Sequence, residues 1–393
     1  MNLRSYGIVT ASYWGFTLTD GALRMLVLLH FHALGYSPVQ LAFLFLLYEF
    51  CGVLTNLLGG WIGSRTGLNA TLYAGLALQV VALVMLSLVD PNWAALLSVS
   101  YVMTSQALSG IAKDLTKMSS KSAVKLLTPD TDGALFKWVA ILTGSKNALK
   151  GVGFFLGGVL LTWLGFVHAL WFMAGALALV LIGALAFLRE DMGKSKRKVK
   201  FTQLFSKSRE INWLSAARMF LFASRDVWFV VALPVFLKST LGWSFNQVGA
   251  FMAAWVIGYG FIQAAAPKLV RRGDVRSAAA VWVGLLTLVT AGLALGVQFE
   301  FHPVASILVG LGLFGLVFAV NSSVHSYLIL AFTDHDQVAV NVGFYYMANA
   351  CGRLLGTLLS GVMFLVGGLP ACLWTSAGLL VTALIFTLPL RRG

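Results

Sequence analysis

Apolar runs of about 20 residues recur from residue 7 to residue 389, and that recurrence limits the fold more than any motif does. A bilayer core about 30 Å thick is crossed by about 20 helical residues. Inside it every backbone polar group must be satisfied without water, which a helix does within its own segment. A transmembrane barrel would instead alternate apolar and polar residues in segments of about ten, and no such pattern occurs. Charged residues make up 11% of the chain, against about 25% in a soluble domain. The expected fold is an all-α polytopic membrane protein. Twelve spans are expected, at about 7–32, 38–63, 69–89, 93–118, 136–163, 168–188, 211–237, 244–270, 276–297, 303–331, 338–366 and 370–389. The first run carries Asp20 and Arg24 and lacks a small-residue cleavage site, so it reads as a span and not as a signal peptide.

The cations sort by side. Arg4, Arg65, the Lys113–Lys137 group, the Arg189–Arg209 segment, Lys268–Arg276 and Arg391–Arg392 fall on one face, and the opposite loops hold one cation, Lys238. That asymmetry predicts a multi-pass protein with both termini cytoplasmic, and the expected location is the cell (inner) membrane. The net charge of +14 is then a topology signal, and nucleic acid is not an expected partner. Cys51, Cys351 and Cys372 lie in apolar runs without metal-ligand spacing, so neither a metal nor a cofactor is expected. No HExxH or GxSxG motif occurs, and no catalytic residue or enzymatic activity is expected.

The chain repeats itself. At a shift of 207 positions LGYSPVQLAFLF (Leu34–Phe45) lies over LGWSFNQVGAFM (Leu241–Met252), and Arg65 over Arg272. This predicts two six-helix halves, 1–188 and 211–393, joined by a basic cytoplasmic linker, 189–210. Parallel repeats of that size are the plan of a large transporter class with its substrate site near mid-membrane. GWIGSRTG (Gly60–Gly67) resembles the major facilitator signature GxxxDRxGRR, with Ser64 in place of the acid and Leu68–Asn69 in place of the basic pair. Gly153, Gly157 and Gly158 resemble the antiporter motif GxxxGPxxGG, with Phe154 at the proline position; close helix approach is the simpler reading.

A charge at mid-bilayer costs about 2.5–3.5 kcal/mol on insertion scales, yet six cations and three acids lie at membrane depth: Arg24, Lys146, Lys150, Arg218, Arg225, Arg353, and Asp20, Glu49, Asp226. At about 1.5 Å per residue, Lys150 and Arg225 lie roughly 20 Å from the cytoplasmic ends of their helices. Arg218 is shallower and expected to snorkel. Asp20 and Arg24, four apart, can pair locally; Asp226 adjoins Arg225, but helix neighbours point in different directions. Pairing consumes three cations at most, and an anionic ligand is the natural complement of the rest. Candidate substrate-binding residues are Arg24, Lys146, Asn147, Lys150, Arg225, Tyr345, Asn349 and Arg353, the last three continuing a stripe from Asn341. Candidate proton-coupling residues are Glu49, Asp20 and Asp226, with a structural pairing of Glu49 to Arg24 as the competing reading. Lys113, Lys117, Lys121 and Lys125 read as a solvated helix face, with an inner funnel that attracts anions as the competing reading. The histidines read as interfacial or hydrogen-bonded, with His325, which has Asn321 and Ser322 nearby, as the one that could instead face the cavity.

The stretch Ser5–Gly63, with TLTDGALRMLVLLHFH at its centre, resembles the start of the ArsJ-type organoarsenical efflux permeases, a branch of the major facilitator superfamily. The resemblance implies export of 1-arseno-3-phosphoglycerate by alternating access, with proton antiport as a candidate coupling. It also implies functional pairing with glyceraldehyde-3-phosphate dehydrogenase, which makes that compound when arsenate replaces phosphate, and hence arsenate resistance. It assigns no binding residues one by one. The residues themselves leave open a transporter of another organic anion or phosphorylated metabolite.

Overall fold

The computed structural model describes residues 3–90, 92–127, 134–188, 208–269, 275–332 and 338–392, and their regular structure is helical. The helices are α1 (Leu3–Ala33), α2 (Pro38–Thr66), α3 (Leu68–Ser87), α4 (Ala95–Leu127), α5 (Ala134–Phe187), α6 (Arg209–Phe229), α7 (Ala232–Ser239), α8 (Phe245–Leu269), α9 (Val275–Gln298), α10 (Pro303–Ala331) and α11 (Val338–Thr387), followed by a 3-10 turn, Leu388–Arg392. Among the described residues nine stretches are long and apolar enough to cross a membrane. Two of the nine contain a backbone break at glycine. Gly165 (φ 71°) interrupts α5, and Gly367–Gly368 interrupt α11, each near a boundary expected between adjacent spans.

A further break was not expected. The run 211–237 is divided between α6 and α7, with Val231 at φ −122°, ψ −50°. Pro234 supplies the reason: it has no N–H, and its ring clashes with the carbonyl four residues earlier. The N–H groups of Val231 and Ala232 donate instead to Ser360 Oγ on α11, at 3.2 and 3.1 Å. A buried hydroxyl thus replaces the missing helical acceptors.

The repeated LGxS turn has a physical basis in its first copy. Gly35 takes φ 86°, and the N–H groups of Gly35 and Tyr36 bond to His32 O (3.0 Å) and Phe31 O (3.1 Å). That is the Schellman closure of a helix end. Ser37 and Gln40 then form a capping box at the start of α2: Ser37 N–H donates to Gln40 Oε1 at 2.9 Å, and Gln40 N–H to Ser37 Oγ at 3.3 Å. In the second copy Gly242 also takes a positive φ, 69°, and Ser244 and Gln247 flank the start of α8 in the same register.

Contacts gather the chain into two compact units: Met1–His30, Leu54–Phe201 and Phe245–Ile257; and Phe31–Val53, Thr202–Ser244 and Gly258–Gly393. In the first, Phe16 of α1, Leu72 and Leu76 of α3, Ala112 of α4 and Leu177 of α5 form one core. Lipid would solvate these side chains about as well, so close packing and polar contacts must hold the helices together. Both are present. A Cβ on Gly153 would lie 2.6 Å from Leu18 O, and one on Gly21 2.7 Å from Lys150 O, so α1 and α5 touch backbone to backbone. Along the α3–α4 seam Ser105 donates to Ala82 O (2.7 Å), Ser109 to Gln79 Oε1 (2.7 Å) and Ser119 to Leu68 O (2.5 Å). In the second unit Leu214 of α6, Ala279 of α9, Val320 and Val324 of α10 and Tyr345 of α11 share a core, and Gly352 and Gly356 of α11 press against the backbone of α6.

Candidate functional site

Four charged residues expected to act at membrane depth meet in the second unit. Glu49 comes from α2, Arg225 and Asp226 from the end of α6, and Arg353 from α11. Arg353 Nη2 lies 2.5 Å from Glu49 Oε1, and Arg353 Nε 3.7 Å from Asp226 Oδ2. Arg225 Nε donates to Asp226 Oδ1 at 2.6 Å, and Nη2 lies 2.5 Å from the same oxygen. The order along the cluster is Arg225, Asp226, Arg353, Glu49, with alternating sign and no net charge. Asp226 is fully buried and Glu49 nearly so, a state that carboxylates tolerate only with such partners. The Arg225 guanidinium also lies over Phe222, Phe229 and Phe318, at 4.9, 5.8 and 5.6 Å from the ring centroids.

One expectation is corrected here. Arg225 and Asp226, although adjacent on a helix, do pair, because the long arginine stem reaches the short carboxylate. The Glu49 carboxylate takes Arg353 as an ion-pair partner, a pairing that the sequence reading did not name.

Arg218 is the residue that sequence reasoning undervalued. It does not snorkel: 5% of its surface is exposed. Its Nε donates to Asn349 Oδ1 at 3.0 Å, and its Nη1 to Ser322 O and Oγ, both at 3.1 Å. The guanidinium stacks 4.0 Å from the Phe222 ring and 5.2 Å from that of Tyr345. Every described hydrogen-bond partner of this buried cation is neutral. The signal was available in Ser322 on α10 and Asn349 on α11, which provide oxygens within the apolar runs and remove the need to reach the interface. Asn341, Tyr345 and Asn349 lie on α11 as the four-residue spacing predicts, and all three are buried or half-buried.

The first unit collects the other candidates on one helix pair. Asp20 and Arg24 of α1 are each 7% exposed. Lys146, Asn147 and Lys150 of α5 are half-buried, and the Gly21–Lys150 backbone contact sets that register. Trp14 Nε1 donates to Ser145 Oγ at 2.8 Å. Lys150 Nζ lies 5.7 Å from the Phe154 ring centroid.

A sequence model of the Major Facilitator Superfamily matches residues 7–231 and again 214–393. The chain belongs to that superfamily. Among curated proteins none matches it. Solved structures do share its fold. A bacterial homologue of the iron transporter ferroportin in an inward-facing state is 16% identical, with complete coverage of both chains and a TM-score of 0.72. The human organic anion transporter MFSD10 is 18% identical over 98% of this chain and 100% of its own, TM-score 0.69. The nucleoside transporter NupG is 15% identical over 98% and 99%, TM-score 0.77. At these identities the likeness concerns the fold alone.

This major facilitator protein, a membrane transporter by family, holds one more polar cluster that the sequence did not announce. Asp114 of α4, 4% exposed, accepts from Thr55 Oγ1 (3.0 Å), Asn56 Nδ2 (3.2 Å) and Lys117 Nζ (2.6 Å), and Lys117 Nζ also donates to Asn56 Oδ1 at 2.7 Å. Lys117 therefore belongs to a buried network, and the reading of its ladder as a solvated face is corrected at that position. The side chains of Lys121, Lys125, Ser64, Arg65 and Arg272, and residues 189–207 of the linker, lie outside the described residues.

Proposed function

We propose that this transporter exports an anionic, phosphorylated organoarsenical, 1-arseno-3-phosphoglycerate. The observation that carries the anionic part is Arg218, a buried guanidinium held by neutral oxygens of Asn349 and Ser322. The sequence count agrees: six cations and three acids lie at membrane depth, and of the acids Glu49 and Asp226 are engaged with Arg353 and Arg225. A ligand with an arsenate and a phosphate end would supply the missing negative charge. Substrate would engage Arg24, Lys146, Asn147, Lys150, Tyr345 and Asn349, with Arg225 and Arg353 joining when their carboxylates protonate. Glu49, Asp226 and Asp20 are the candidate proton carriers for antiport.

The arsenic-specific part rests on the resemblance of Ser5–Gly63 to organoarsenical efflux permeases. With it come twelve spans as two six-helix halves, an inner-membrane location with cytoplasmic termini, arsenate resistance, and functional pairing with glyceraldehyde-3-phosphate dehydrogenase. A second reading, export of an ordinary phosphorylated metabolite or other organic anion, is favoured by the chemistry of the cations: guanidinium and ammonium groups donate to phosphate and arsenate oxygens alike.

Everted vesicles supplied with arsenate, glyceraldehyde 3-phosphate, NAD+ and the dehydrogenase, or with 3-phosphoglycerate alone, test both. Arsenic accumulation that requires the dehydrogenase supports organoarsenical export. Accumulation of 3-phosphoglycerate without arsenate supports the second reading. Neither, in vesicles that contain the protein, rejects anion export.

A further inference from the structure

Beside Arg218, α10 presents two buried polar side chains that nothing described satisfies. Asn321 and His325 are both fully buried. Neither the Asn321 amide nitrogen and oxygen nor the two His325 ring nitrogens have a hydrogen-bond partner among the described residues. They stand four apart on α10, so they share a face. Ser322, which binds Arg218 through both its carbonyl and its hydroxyl, lies between them, and His325 is within electrostatic reach of the guanidinium. Arg218 keeps two Nη2 N–H donors that no described residue takes.

An orphaned buried amide or imidazole carries a desolvation cost of about 1–3 kcal/mol, and native proteins relieve such groups with water, an ion or a ligand. The donors and acceptors here narrow the choice. Arg218 offers charged N–H groups, Asn321 a donor and an acceptor, and neutral His325 one of each. A carboxylate can use only the donors. A tetrahedral oxyanion that keeps one proton, such as a hydrogen-phosphate, a hydrogen-arsenate or their monoesters, has acceptor oxygens for Arg218 and an O–H for an acceptor on Asn321 or His325.

We infer that Arg218, Asn321 and His325, with the Ser322 hydroxyl, form a binding subsite for a protonated tetrahedral oxyanion inside the second unit. The inference rests on the anion-transport reading for its physiological ligand, the phosphate or arsenate end of the substrate. Its chemistry can be tested without transport.

The test is ligand-dependent thermal stabilisation of the purified full chain in detergent, with inorganic phosphate, arsenate, 3-phosphoglycerate and glycerate as probes. The first three should raise the melting temperature with saturable dependence, and glycerate should not. Arg218→Gln should weaken the phosphate midpoint by about tenfold or more, as loss of a charge-assisted pair does. Asn321→Leu and His325→Leu, apolar and of similar size, should melt no lower than the parent and lose the phosphate-induced shift. Asn321→Asp gives Arg218 a carboxylate; it should raise the unliganded melting temperature and abolish the shift.

The inference is overturned if no tetrahedral oxyanion shifts the parent, if glycerate shifts it equally, or if the leucine variants keep the parent midpoint. Should Arg218→Gln fail to fold, the α10 variants decide. A shift seen with phosphate and arsenate but not with 3-phosphoglycerate means that the subsite takes the free ion; the chemistry stands and its link to the substrate falls. Failure of vesicle transport with an intact shift rejects the proposed function and leaves the subsite in place.

Discussion

Arg353 reaches two carboxylates from one side chain: its Nη2 is 2.5 Å from Glu49 Oε1 and its Nε 3.7 Å from Asp226 Oδ2. Its removal therefore takes a cation from Glu49 and Asp226 together, although Asp226 keeps Arg225, whereas removal of Glu49 leaves Arg353 with Asp226. Arg353→Gln should cost about 3–5 kcal/mol, the range for breaking a buried pair, and Glu49→Gln less. The double variant should recover at least about 0.5 kcal/mol of the summed loss, as coupled neighbours do. Melting of the four proteins in detergent checks this; additive losses would show that the two residues are not coupled.

Arg24 and Lys150 sit on the α1–α5 pair of the first unit. Arg24→Gln and Lys150→Gln should each abolish export, and with it arsenate resistance of cells, while membrane insertion is unchanged. Resistance growth alongside quantified membrane protein is the measurement. Two well-inserted, fully active variants would remove both residues from the substrate path.

Ser360 accepts from two backbone N–H groups where α6 gives way to α7. Ser360→Ala leaves both donors buried without an acceptor and should lower stability by about 1–3 kcal/mol, the cost of an unmade buried hydrogen bond. Thermal unfolding reads it directly. An unchanged midpoint would mean that water or another group takes over.

Gly157 faces the α1 backbone at Ala22 so closely that a single methyl has no room, while a Cβ on Gly175 would meet nothing within 4 Å. Gly157→Ala should reduce folded yield and melting temperature, and Gly175→Ala should change neither, apart from a small gain in helix propensity. Size-exclusion profiles of the two variants provide the comparison, and equal behaviour would refute the close-approach account of the α5 glycines.

What the chain disclosed in advance follows the range of the forces involved. Apolar runs specify helices locally, and the LGxS repeat encodes a left-handed glycine plus a capping box, so both were readable. The partners of Glu49 and Arg218 were not, because each is fixed by packing between residues hundreds of positions apart in sequence. Depth alone misplaced Arg218, since snorkelling is only one way for an arginine to find oxygens; Asn349 and Ser322 are the other. Pro234 was a local signal passed over inside an apolar run, and Asp114 was hidden among lysines (Lys113, Lys117) whose charges suggested solvent.

The break marked by Pro234 has a mechanical meaning. A continuous helix transmits torque along its whole length; one interrupted at Val231 does not. Arg218, Arg225 and Asp226 all lie on the α6 side of the joint, where Gly352 and Gly356 of α11 press on the helix backbone, and the two amides that the break exposes are held by the same helix through Ser360. One helix, α11, thus carries both partners of those charges, Asn349 and Arg353, and the hydroxyl that closes the break beside them.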